Sequence, residues 1–251
     1  MKLPLRLERI VGMVPPCRTA CDIGCDHAYT AIELVKRGRA ERVLACDVRE
    51  GPLRMAERNV ALAGLKGQVE LRLGDGLTPV RTGEAETVVI AGMGGELMCR
   101  ILRDRLRDFR WFVLSPHSDM ALVRHLLCDG GLRIVREEML REDGKYYTVL
   151  LAEQGTGRKE EAALSSRTLA SGQGGEDCAA DNPLYRTEAD FCYGGLLIEG
   201  RDPVLWEFLI REKARYGEIL RKTDRQEVQE AYALCLGALR RMEYRKTGSI
   251  R

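Results

Sequence analysis

Four apolar runs in this 251-residue chain end in residues able to do chemistry, and they come in a fixed order. "TACDIGCDHAY" closes on Asp22, Gly24 and Asp26, with His27 and Tyr29 just beyond. "VLACD" ends at Asp47, "LRLGDG" at Asp75 and Gly76, and "VVIAGMGG" at Ala91, Gly92 and Met93. A strand that stops at glycine and turns into a helix is where open α/β sheets hold nucleotide-like ligands. Gly24 lets backbone approach such a ligand with no side chain between them. Asp47 lies where an acidic side chain can accept both ribose hydroxyl protons, and Asp75 where one can accept from an adenine amino group. Together they describe an adenosine held at one end, with a partner group over the first turn.

The usual glycine fingerprint is broken, because Asp26 and His27 stand where more glycines would be expected. A pyrophosphate at the first helix would face Asp26, and two anions in a shielded site repel strongly. S-adenosylmethionine has no phosphate, and a carboxylate favours both its sulfonium and its α-ammonium. The expected cofactor is therefore S-adenosylmethionine rather than NAD. Its expected binding residues are Asp22, Gly24, Asp26, His27, Asp47, Asp75, Gly76, Ala91, Gly92 and Met93.

Positioning these residues needs a particular series of elements. Apolar spacing predicts a helix over 5–14, closed by Pro15-Pro16. Strands are predicted over 18–23, 42–47, 69–73, 87–91 and 111–114, and helices over 28–37, 51–63, 96–103 and 120–128. Two final strands, 132–139 and 146–153, flank the turn "REDGK" and read as an edge hairpin. Alternating strands and helices predict a parallel sheet covered on both faces. The added hairpin makes it the seven-stranded, Rossmann-like class I methyltransferase plan. The expected first domain is therefore 1–153. Residues 154–183, rich in Gly, Ser and Ala without a sustained period, read as a flexible linker or insertion. Residues 184–251 read as a helical domain built on an antiparallel pair separated near Thr223-Asp224.

Bulk properties narrow the setting. The net charge is only +2, but from position 201 onward twelve Lys/Arg face eight Asp/Glu. That excess suits a polyanionic partner, with a solvated helical face as the plain alternative. Cys17, Cys21 and Cys25 are evenly spaced, yet an extended backbone would carry their sulfurs apart, so no metal site is expected. Nine cysteines in total fit free thiols in a reducing compartment. The opening residues interleave charge with apolar side chains, and no run approaches the roughly 18 apolar residues that span a bilayer. A cytoplasmic protein without a membrane segment is expected. The oligomeric state stays open, with a monomer slightly favoured.

"RLERIVGMVP", "DIGCDHAYTAIELVKRG", "DVREGPLRMAERNVALAGL", "LRLGDGL", "VVIAGMGGELM" and "REDGKYYTVLLAE" resemble the bacterial tRNA (adenine-22-N1)-methyltransferase family, TrmK. The likeness runs from about Arg6 to Glu153 and is weaker in the helical tail. It implies an S-adenosylmethionine-dependent enzyme that methylates an adenine N1 in tRNA, with the helical domain helping to hold the tRNA. Two departures stand out: "SPHSD" replaces a family pattern like Gln-Pro-Asn, and the Gly/Ser-rich insertion is longer than the family's.

Adenine N1 already has an in-plane lone pair, so the enzyme must unpair the base and aim it, not activate it. Met93, the loop 92–95 and Pro116-His117 are expected to wall the base. Asp26 and His27 are candidates to stabilise the cationic product, and Tyr29 to stack or hydrogen-bond. The expected catalytic set is thus Asp26, His27, Tyr29, Met93 and His117, with His125 a packing residue. Arg211, Lys213, Arg215, Arg221, Lys222, Arg240, Arg241, Arg245 and Lys246 are candidate phosphate contacts, as are Arg100, Arg103, Arg105 and Arg107. Competing readings are a methyltransferase for a small molecule or protein, a non-catalytic RNA-binding protein with a relic cofactor site, and, last, a nicotinamide oxidoreductase.

Overall fold

The computed structural model describes residues 3–155 and 182–243. Helix α1 (Leu5–Met13) leads into β1 (Cys17–Ile23), α2 (Tyr29–Lys36), β2 (Ala40–Asp47), α3 (Glu50–Leu62) and β3 (Val69–Leu73). Next come β4 (Thr87–Ala91), α4 (Gly95–Leu102), β5 (Trp111–Ser115), α5 (Met120–Asp129), β6 (Leu132–Glu142) and β7 (Lys145–Gln154). Helices α6 (Glu188–Tyr193), α7 (Gly195–Gly200), α8 (Pro203–Leu220) and α9 (Gln226–Glu243) complete the described chain.

The sheet order is β3-β2-β1-β4-β5-β7-β6. Strands β1 to β5 pair in parallel, while β7 runs antiparallel to both β5 and β6. The expected seven-stranded Rossmann-like sheet with its edge hairpin is what forms. Asp143 and Gly144 both take positive φ, 49° and 77°, which gives the hairpin the primed turn that suits strand twist.

Successive residues of the central strands point to opposite faces, so nearly every position is apolar. Ala20, Val43, Val89 and Val113 lie in one core layer with Ile10, Ala31 and Val60 of α1, α2 and α3. Cys21, Leu44, Ile90 and Phe112 lie in the other with Met98 and Leu127 of α4 and α5. The order reverses between β1 and β4, and a crevice opens there at the strands' carboxyl ends.

Most of the expected linker, 156–181, lies outside the described residues. Beyond it the expected long helices are present as α8 and α9. Asp202 caps α8, accepting from Val204 N and Leu205 N, and Pro203 occupies its first turn. Leu205 and Leu209 pack with Cys235, Leu239 and Met242 of α9 in a third core. Two short helices precede this pair, α6 opening on a Thr187/Asp190 capping box. Their periodicity is too brief to read, and Gly194-Gly195 interrupts it.

This segment is seated on the sheet by buried polar contacts. Arg124 of α5, 1% exposed, donates to Glu137 Oε1 at 2.7 Å and to the carbonyls of Phe191 and Cys192. Tyr185 donates to Glu137 Oε2 at 2.6 Å. Asn182 accepts from Ile134 N and donates to Leu132 O, continuing the edge of β6 with a side chain. His125 stacks on Phe191 at 3.7 Å between centroids, in keeping with a packing role.

Candidate active site

All twelve sequence-predicted site residues line one cavity of about 470 Å³ at the crevice. They reach it from different elements: Asp22 from the end of β1, Gly24, Asp26 and His27 from the β1–α2 turn, Tyr29 from the start of α2, Asp47 from β2, and Asp75 and Gly76 from the loop after β3. Ala91, Gly92 and Met93 come from the end of β4, and His117 from the loop after β5.

The β1–α2 turn is unusual backbone. Gly24, Asp26 and Ala28 have φ of 75°, 49° and 59°. Left-handed geometry is costly for a residue with a Cβ, and aspartate tolerates it better than most. The turn is tied to the neighbouring strand, since Gly24 N and Cys25 N both donate to Cys46 O at 2.8 and 3.0 Å. A Cβ on Gly24 would lie 2.3 Å from the Met93 thioether methyl, so the glycine keeps the cavity floor open.

The carboxylates differ sharply in setting. Asp47, 5% exposed, accepts from Asp26 N at 3.1 Å and Arg49 N at 2.9 Å. Asp22 is 4% exposed, and its Oδ2 has no hydrogen-bond partner. Burial, and then the Asp47 charge, push the Asp22 carboxyl up to about 7, against a partial offset from the Ala31 N–H. Asp26 lines the cavity as expected, but at its edge. Its side chain is 59% exposed at the cavity rim, so water screens it, and the buried anion facing the crevice is Asp22. His27 Nδ1 is also buried without a partner, while Nε2 lies 3.6 Å from Asp26 and the ring meets Tyr29 edge-on.

The expected base wall is only partly as read. Gly92, with φ 81°, Met93 and His117 face the cavity. Gly94, Gly95 and Pro116 are not among its lining residues. Instead Gly95 N donates to Ser118 O, and a Cβ on Gly95 would lie 2.6 Å from Asp119 O. Gly95 of "GMGG" thus lets α4 start against the loop after β5. That loop is set by His117 N donating to Met93 O at 2.8 Å.

Among the lining residues that the sequence reading did not single out is an arginine. Arg6 of α1 places Nη1 2.5 Å from His117 Nε2 and its guanidinium 5.0 Å above the Tyr147 ring. Burial, and then Arg6, hold the His117 imidazole below its ordinary range, so near neutrality Nε2 accepts.

The cysteines do not converge on a metal. Among the described residues no group of His, Cys, Asp or Glu could hold one, and their eight cysteines are all free thiols. Burial first, then nearby acids, raise Cys25, and Cys46 is pushed up to about 12. The candidate RNA-binding cations divide. Arg215 pairs with Glu212, Arg221 with Glu218, Arg241 with buried Asp190, and Arg211 meets Tyr146. Arg105 binds Asp108 and the carbonyls of Leu77 and Val80, a structural task. Arg245 and Lys246 lie outside the described residues.

A seven-stranded sheet with an antiparallel last strand, and acidic residues at the ends of β1, β2 and β3 around a glycine turn, define a class I methyltransferase. The methyltransferase domain family matches residues 3–150. The tRNA (adenine(22)-N(1))-methyltransferase of Bacillus subtilis is 35% identical over 175 residues, 68% of this chain and 72% of that one. The crystal structure of B. subtilis TrmK, an m1A22 tRNA methyltransferase, is 26% identical with a TM-score of 0.73, covering 97% of this chain and 98% of that one. A Streptococcus pneumoniae protein, provisionally assigned as a tRNA (m1A22) methyltransferase and solved with S-adenosyl-L-methionine, is 28% identical with a TM-score of 0.78. That match covers 95% of this chain and 100% of the other. The chain belongs to the tRNA (adenine(22)-N(1))-methyltransferase family, TrmK.

Proposed function

We propose that this protein transfers a methyl group from S-adenosylmethionine to N1 of the adenine at position 22 of tRNA. The observation that carries the reading is a deeply buried carboxyl group, Asp22, with one oxygen left without a hydrogen-bond partner, on the floor of a glycine-lined crevice whose far wall is Gly92, Met93 and His117. A buried carboxyl group left short of partners in that position fits a cationic ligand, which favours its ionised form. The sulfonium of the bound cofactor supplies an electrophilic methyl group, and the chain supplies the rest. Asp47 takes the ribose hydroxyls, Asp75 the adenine amino group, and Asp22 faces the positively charged end. Gly24 leaves room for close approach.

The chain's task toward the target is positional. Adenine N1 is nucleophilic as it stands, and holding two reactants aligned lowers a barrier by several kcal/mol through orientation alone. Met93 and His117 wall the base. His27 and Tyr29 close the other side, and exposed Asp26 is placed to offset charge on the methylated product. Affinity for tRNA comes from cations that own no ion pair among the described residues, Lys213, Lys222 and Arg240, with Arg100 of α4 and Arg103 just after it. No described helix is long and apolar enough to cross a membrane. With every described cysteine reduced, a cytoplasmic setting fits the substrate.

Incubation with methyl-labelled cofactor and tRNA lacking the modification, followed by nucleoside analysis, should give 1-methyladenosine at one site. Label appearing in small molecules or protein without RNA would overturn the tRNA reading. Replacing Lys213, Lys222 and Arg240 with alanine should weaken tRNA binding and lower its salt slope by about one for each phosphate no longer neutralised.

A further inference from the structure

Arg6 is a cation without an anion. It is half-buried at the cavity mouth, and no carboxylate pairs with it among the described residues. Its Nη1 meets the neutral Nε2 of His117, and its face lies over Tyr147, which uses none of its N–H groups. A guanidinium has five donors in a fixed fork, so most of them stay available. The group is also held in place. Leu5 N of the same helix donates to Glu142, and Arg9 lies 3.6 Å from Glu138, so α1 is pinned to the β6–β7 hairpin.

The other cavity arginine is differently placed. Arg49 is 70% exposed and leans toward Asp47, 3.8 Å away. The cavity thus gathers four carboxylates, Asp22, Asp26, Asp47 and Asp75, against one preorganised guanidinium left uncompensated.

We propose that Arg6 is an oxyanion-binding residue of the reaction cavity, placed by His117 and Tyr147 to receive the carboxylate of the methyl donor's methionine end or the phosphate of the target nucleotide. This rests on the methyltransferase reading above. Both sources present planar or tetrahedral oxygens to a guanidinium fork, the pairing at which arginine excels. A neutral imidazole can accept from the guanidinium without cancelling its charge.

Arg6→Gln removes the charge and keeps hydrogen-bonding capacity, and Arg6→Lys keeps the charge without the fork. Equilibrium affinities would be measured for S-adenosylhomocysteine, for methylthioadenosine, which lacks the amino-acid moiety, and for unmodified tRNA. Thermal midpoints would check that each variant is folded. If the carboxylate is the ligand, Arg6→Gln weakens S-adenosylhomocysteine by about tenfold or more and leaves methylthioadenosine within about twofold. If the phosphate is, S-adenosylhomocysteine is unchanged while tRNA affinity falls about tenfold and its salt slope drops by about one. In either case Arg6→Lys retains part of the affinity. Folded variants with every affinity within about twofold of wild type would overturn the proposal and leave the methyltransferase reading standing. A wild-type protein that binds no S-adenosylhomocysteine would overturn both.

Discussion

Two sets of polar side chains carry buried atoms here and end in opposite conditions. Where α5, β6 and the helical segment meet, Arg124, Glu137, Asn182 and Asp190 are all at or below 9% exposure, and each is hydrogen-bonded. At the carboxyl end of β1, Asp22 is 4% exposed with one oxygen unpartnered, and His27 nearby has an orphaned ring nitrogen. Folding satisfies the first set completely. The second is left for a molecule the chain must bind. Burial alone does not mark a functional polar group; burial without a partner in a side chain that also lines the crevice points to one.

The contrast breaks most visibly by removing one member from each set. Glu137→Ala strands Arg124 with its charge buried and should cost about 3–5 kcal/mol in chemical denaturation. Asp22→Asn should act in the opposite sense on the ligand-free protein. The folded Asp22 carboxyl is raised to about 7 from an unfolded value of 3.8. Folding therefore favours its protonated form. The stability linked to that proton is complete below pH 4 and is lost as pH rises through 7. The asparagine variant should thus gain on wild type between pH 4 and 8, by at most roughly 4 kcal/mol. Equal losses from Glu137→Ala and Asp22→Asn at pH 8 would erase the distinction.

Smaller changes sharpen it. Gly95→Ala drives a methyl group into the Asp119 carbonyl and should cost about 1–3 kcal/mol. Because Gly95 packs against protein, S-adenosylhomocysteine affinity should change less than for Gly24→Ala, whose methyl group enters the cavity floor; calorimetry on both variants compares them. At the low end, Arg221→Ala breaks an ion pair whose partners are 75% and 63% exposed. Its thermal midpoint should barely move, since such pairs contribute about 0–1 kcal/mol.

The sequence makes the first set hard to see and the second easy. Asp22, Asp47 and Asp75 each follow an apolar run, and the strand period alone puts them at one end of a sheet. "EDGK" announces the hairpin because only a few residue pairs suit its left-handed turn. Arg124 and Glu137, by contrast, sit in helix and strand patterns where a charge ordinarily marks the solvent side, and nothing local reveals that residues 182–192 return to bury them. Arg6 is hidden for the same reason, lying 111 positions from the His117 it contacts. The glycines of "GMGG" show the limit of motif reading. Residue types suggested a surface for a base, and only the close passage of Asp119 shows that Gly95 serves packing instead.

Calorimetric titration with S-adenosylmethionine at pH 6, 7 and 8, in buffers of different ionisation enthalpy, bears most directly on the Asp22 assignment. A carboxylate that must ionise to face the cation should release a proton on binding near pH 6.5, and affinity should tighten about tenfold from pH 6 to 8, with both effects absent in Asp22→Asn. An affinity that stays level over that range, with no proton exchanged, would mean that the buried acid of β1 does not meet the cofactor's charge.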